Sequence, residues 1–192
     1  MQRISALSMP RPIHGRCSPD ILFTNRKPQP PLGHGSPLPA RDAVLARADW
    51  LSASVAEAEV LGGAKDPQIA ATQLAAGRDG ALVRIGAGCC WLATAEGSLH
   101  VPGFKVRAID SNGAGDTHVG AFIASLMAGH SPRDAAIHAN AAAALSTTRI
   151  GPATAPDLEE TRRLLDRNGI SLGEARGPAG GKGITGRIRM PT

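Results

Sequence analysis

One stretch constrains this chain more than any other: Asp110-Ser111-Asn112-Gly113-Ala114-Gly115-Asp116-Thr117. It follows a short β-like run, Lys105 to Ile109, and opens an apolar helical run, Val119 to Ala128. Glycines at a strand-to-helix junction let the backbone turn tightly and approach a ligand closely. Backbone N–H groups at a helix start, with the helix dipole behind them, favour an anion. Asp116 adds a carboxylate beside that anion site. Like charges repel, so a carboxylate there suits the task of taking a proton from an attacking hydroxyl while the backbone stabilises a transferred phosphoryl group. The same residues also suit a plain turn followed by a capping aspartate.

The surrounding pattern alternates helix and strand, the signature of an α/β sheet layered by helices. Asp42–Ala48 reads as a short helix, 49–53 as a strand, and Val55–Leu61 as a helix stopped at Gly62-Gly63. Pro67–Ala76 is a helix capped by Asp66. Strands are expected at 81–85, 89–93, 98–101 and 105–109, with turns at Glu96-Gly97 and Pro102-Gly103. Three helices, 115–129, 132–148 and 156–167, close the domain. Residues 1–39 are crowded with Pro, Gly and Arg, a composition that buries little surface. Within them only 20–23 suits a strand. Residues 169–192 read as a Gly-rich basic tail. A globular unit over 40–168 remains.

The 192 residues are 42% hydrophobic, as in a soluble globular protein, with no apolar run approaching a membrane span. The three cysteines, Cys17, Cys89 and Cys90, have no zinc spacing and suggest reduced thiols, hence a cytoplasmic setting. The net charge of +5 is concentrated at the two ends. Basic ends allow nucleic-acid binding as an alternative, but aromatic content of 3% with no Tyr provides no stacking platform.

The run 110–117, continued by Gly120-Ala121-Phe122, resembles the C-terminal signature of the PfkB-type carbohydrate kinases, the ribokinase family. Asn140-Ala141-Ala142-Ala143-Ala144-Leu145-Ser146 and Thr148-Arg149-Ile150-Gly151-Pro152 are similar to that family's closing helix and nucleotide loop. The resemblance covers about residues 40–166. It implies a ribokinase-like layered sheet with helices on both faces, cut short on its N-terminal side, and transfer of the ATP γ-phosphoryl group to a sugar hydroxyl with Mg²⁺. A nucleotide-binding remnant without catalysis is the alternative.

The resemblance implies Asp116 as the catalytic base and the loop of Gly113, Ala114 and Gly115 as the anion hole, with the N–H groups of Ala114, Gly115 and Asp116 turned to the γ-phosphate. It puts Gly86 in a nucleotide-contacting turn and Asn140 beside the adenine, with a hydrogen-bonded polar residue of the helix as the alternative reading of Asn140. Asp110 and Asn112, with carbonyls near Ser146, Arg149 and Gly151, match a monovalent-cation site, suggesting K⁺. Glu57 matches a residue that holds Mg²⁺ through water, although Ser54 stands where the family has Asn. Arg84 replaces a usual Thr; it suits either a phosphate partner or a side chain snorkelling outward. His118 reads as a helix-surface residue, with a substrate contact as the alternative. The missing strands imply an uncovered sheet edge open to self-association.

Overall fold

The computed structural model describes residues 22–23, 45 and 47–175. The described strands are β1 (Leu22–Phe23), β2 (Trp50–Ser54), β3 (Gly80–Arg84), β4 (Cys89–Thr94) and β5 (Gly97–Pro102). They form one mixed sheet in chain order. β2 and β3 run parallel, with Trp50 opposite Gly80 and Ser54 opposite Arg84. The other pairings are antiparallel. A parallel pair needs a crossover, and α1 (Val55–Gly62) and α2 (Pro67–Ala75) supply it. Then come α3 (Ala114–Met127), α4 (Pro132–Ser146) and α5 (Leu158–Arg167).

Side chains alternate across a strand, so the sheet sorts its residues into two cores. Leu51, Ala53, Ala81, Val83 and Ala93 pack with Ala58, Ala70, Ala71 and Leu74 of α1 and α2. Trp50, Leu82, Cys90, Leu92 and Val101 face the other way, onto Phe122 of α3 and Ala135, Ala136 and Ala139 of α4. The Trp50 and Phe122 rings meet edge to face, 5.1 Å between centroids. Helices therefore cover both faces, as a ribokinase-like sheet requires. A third cluster joins α4 to α5 through Phe104, Ala141, Leu164 and Leu165.

Helix starts follow local chemistry. Asp66 accepts from the Ile69 amide at 2.9 Å, ahead of Pro67. Ser131 caps α4, with Pro132 in its first turn. Asp157 and Glu160 form a capping box at α5, which sets that helix's start at Leu158. One expected strand does not form. Residues 105–109 are irregular, and the Ile109 and Asp110 amides both donate to Thr147 O, at 2.7 and 3.1 Å. A strand needs a neighbour, and β5 is hydrogen-bonded only to β4 among the described residues; the end of α4 takes these amides instead.

Of the expected helix at 42–48, Leu45 is helical and 47–48 are not; its other residues lie outside the described set, as do most of 1–39 and the tail from 176 onward. No helix among the described residues is long and apolar enough to cross a membrane.

Gly80 marks the tightest point between sheet and Trp50. A Cβ there would lie 2.5 Å from the Trp50 ring and 2.7 Å from Ala93 O. Gly80→Ala should therefore cost about 1–3 kcal/mol by overpacking. Urea denaturation should show a lower midpoint with an unchanged m-value.

Candidate active site

The helices α1, α2, α4 and α5 each begin on a side-chain cap: Ser54, Asp66, Ser131 and Asp157. α3 begins on Gly113, with no side-chain cap. Its first intrahelical bond is Thr117 N–H to Gly113 O at 2.9 Å. The Gly115 and Asp116 amides lie ahead of that bond, among the donors a helix leaves unpaired. The Ala114 amide donates to Ser111 O at 3.2 Å, so it builds the turn that precedes them. Of the three amides expected in the anion hole, two are left by the helix geometry for a ligand and one is engaged.

Gly113 has φ 77°, and a Cβ there would lie 2.2 Å from Pro152 O. Both the left-handed backbone and the contact with Pro152 demand glycine. Asp116 stands exposed in the first turn of α3. With Thr117 it lines one end of a groove that runs past Ala124 and Ser125 toward His138 of α4 and Arg162 of α5.

Asp110 ties this loop to the segment after α4. Its Oδ1 accepts from the Asn112 amide and its Oδ2 from the Gly151 amide, both at 2.9 Å. These bonds hold its carboxyl below the usual carboxylate range, the Asn112 bond most strongly and the Gly151 bond next, against a small opposing effect of burial. The structure thus brings Asp110, Asn112, Gly151 and Ser146 together. Thr154 Oγ1 donates to Ser146 O at 2.9 Å and reaches Gly151 O at 3.4 Å. The group is rich in carboxylate and carbonyl oxygen, the chemistry a hard cation takes. The Arg149 side chain points elsewhere, pairing with Glu160 at the start of α5. Gly86, φ 80°, opens a single 3₁₀ turn at the end of β3.

Glu57 has a different occupation from the one its resemblance implies. Ser54 N–H donates to Glu57 Oε2 at 2.7 Å while Ser54 Oγ accepts from the Glu57 amide, which closes a capping box. The same Oε2 lies 3.9 Å from Arg84 Nη2, with both side chains nearly buried. Arg84 also donates to Ser52 Oγ. A carboxylate held by its own helix start and by a guanidinium fits poorly as a partner for the water shell of Mg²⁺. Among the described residues, no group of three or more His, Cys, Asp or Glu could hold a metal ion.

Asn140 is buried, and its amide is fully engaged. Nδ2 donates to Val101 O at 3.0 Å and Pro102 O at 3.1 Å, while Oδ1 accepts from His118 Nε2 at 3.0 Å. It welds α4 to the end of β5 and to α3, and does not offer its amide to an adenine. His118, expected on the surface, is only 4% exposed. It belongs to the buried stripe of α3 with Phe122 and Ser125, and the spacing 118, 122, 125 is the sequence signal that marks it.

Two donations by Asn140 Nδ2 fix the amide orientation, so His118 Nε2 must carry the proton. Nδ1 is then the bare nitrogen, buried with no partner among the described residues. Burial first, and the Arg84 charge second, push the His118 pKa down to about 4, against the raising effect of the Asn140 bond.

Residues 26–159 match the pfkB family carbohydrate kinase model. The chain belongs to that family. It is 31% identical over 141 residues to a ribokinase of Haemophilus influenzae, covering 68% of this chain and 46% of that protein. Among solved structures, it matches a putative ribokinase II from E. coli in complex with ATP and Mg²⁺ at 31% identity and TM-score 0.61, over 66% of this chain and 43% of the other. A fructokinase double mutant from Vibrio cholerae, with fructose, ADP and potassium ion bound, matches at 29% identity and TM-score 0.58, over 65% and 43%. The chain thus spans less than half the length of these relatives.

Two outcomes check the site. Gly113→Ala should displace the loop from Pro152 and destabilise the fold by at least about 1 kcal/mol, because positive φ and a backbone clash act together; thermal unfolding measures it. His118 has a folded-state pKa of about 4 against an unfolded value of 6.5. Its contribution is present above pH 6.5 and lost as pH falls toward 4, on the order of 3 kcal/mol in all. His118→Gln should flatten the stability–pH curve in that window.

Proposed function

We propose that this chain binds ATP and directs transfer of its γ-phosphoryl group to a hydroxyl of a sugar or sugar-like alcohol. One observation carries the reading: α3 of this pfkB-family chain starts without a side-chain cap, with Asp116 in its first turn. Gly113 lets the backbone come close, and the Gly115 and Asp116 amides face an anion at the positive end of the helix. Donors fixed before the reaction stabilise transition-state charge without reorganising. Asp116, exposed at the groove mouth, accepts the proton of the attacking hydroxyl. Phosphoryl transfer needs positioning and charge neutralisation above all, and Mg²⁺ arriving with the nucleotide supplies part of the latter. The Gly86 turn belongs to the nucleotide side of this reading. K⁺ belongs at the oxygens around Asp110, Ser146 and Gly151, where it would reinforce the tie between the two loops.

A second reading is nucleotide binding without turnover. The observation that favours it is the share of the relatives' length that the chain spans, 46% for the ribokinase. A coupled kinase assay over a panel of sugars, run beside calorimetric titration with Mg-ATP, separates the two. Turnover supports the first reading, and ATP binding without turnover supports the second. A folded chain that binds no ATP excludes both. Asp116→Asn should keep ATP affinity nearly unchanged and lower the rate by about 10²–10⁴-fold. If the variant keeps most of its rate, Asp116 is not the base.

A further inference from the structure

Arg84 ends β3 two residues before the Gly86 turn. Strand alternation puts it on the face that carries Leu82, the face covered by α3 and α4. Its guanidinium reaches back to Ser52 Oγ on the neighbouring parallel strand. Its charge is felt at His118, two residues into α3 from Asp116. A guanidinium therefore lies at the carboxyl ends of β2 and β3, on the sheet face that α3 and α4 cover. Parallel strands bind ligands at those ends.

Its carboxylate partner is held at 3.9 Å, beyond hydrogen-bond length. Glu57 keeps its 2.7 Å bond to the Ser54 amide whether or not Arg84 stays beside it. Glu57 with a neutral residue at position 84 would give this corner a charge of −1, which a phosphate tolerates only behind a cation. Glu57 with Arg84 brings it to zero. A planar guanidinium can meet a phosphate with two parallel N–H bonds.

We propose that Arg84 is a direct ligand of the nucleotide's terminal phosphates in this chain, and that it lowers the need for a divalent cation in binding them. This rests on the ATP reading given above. The poor fit of Glu57 to a magnesium water shell is the same fact seen from the carboxylate.

The test is calorimetric titration of the purified full chain with inorganic tripolyphosphate and with ATP, each in EDTA and in Mg²⁺. The wild type should bind both in EDTA, within a few-fold of its affinity in Mg²⁺. Arg84→Thr should weaken binding in EDTA by about 10–100-fold, the range of one charge-assisted hydrogen bond, and by less in Mg²⁺. Arg84→Lys should recover part of the loss. Removing Arg84 alone leaves Glu57 unpaired, so the double variant Glu57→Gln/Arg84→Thr, which deletes both charges, should show the same loss with its circular dichroism intact. Folded variants that bind tripolyphosphate in EDTA as tightly as the wild type would overturn the assignment and leave the ATP reading standing. So would a wild type that binds ATP only with Mg²⁺. A wild type that binds ATP under neither condition would overturn both.

Discussion

The candidate site depends on one carboxylate reaching in two directions. Asp110 holds the Asn112 amide on its own loop and the Gly151 amide across 41 residues of chain. The Ile109 and Asp110 amides reach the same region through Thr147 O, and Gly113 is pressed against Pro152 O. The loop that opens α3 is thus positioned by the end of α4, with no strand beneath it. Bonds from backbone amides to an ionised carboxylate are stronger than neutral ones. They also fix direction: with the turn held, the Gly115 and Asp116 amides must point out of the helix start. A side-chain cap of the kind that starts α1, α2, α4 and α5 would take one of these donors for itself.

Much of this was legible in the sequence, and the division follows the range of the interactions. Helix starts at Asp66 and Ser131 depend on bonds spanning three residues and form where expected, whereas α5 starts at Leu158, two residues past the expected 156, because Asp157 takes the cap. The alternation of strands β2 to β5 and the two-sided covering by helices follow from period-two burial, which is also local. The strand expected at 105–109 fails because a strand is defined by its neighbour, and the Ile109 amide is claimed by Thr147 at the end of α4.

Ser54-x-x-Glu57 carries two signals at once. It resembles a metal-assisting motif, and Ser followed by Glu three residues on, ahead of a helical run, is also the signature of a capping box. The structure adopts the box. The sequence allows Arg84 to be either a phosphate partner or an outward-snorkelling side chain. Its nearly buried pairing with Ser52 and Glu57 is at odds with the outward snorkel and keeps the guanidinium along the sheet.

The burial of His118, and the choice between the two readings of Asn140, turn on one shared fact. A polar residue within a helix gives no sign of whether it is buried until its partners are known. The two are each other's partners, so neither is legible alone. Their pairing also bears on which first-turn group of α3 handles a proton. His118 stands only two residues from Asp116, and histidine is the usual general base. Here its Nε2 proton is fixed on Asn140 Oδ1, and Nδ1 is buried away from solvent. A proton added at Nδ1 would be a buried cation with no acceptor, in the field of Arg84, which is why the ring stays neutral down to about pH 4. A base must exchange protons with its substrate, and His118 has no route for one. Asp116, exposed one half-turn earlier, has both the acceptor oxygens and the access. Within the first turn of α3 the proposed base role therefore suits the carboxylate rather than the histidine, which holds that turn to α4 and, through Asn140, to the end of β5.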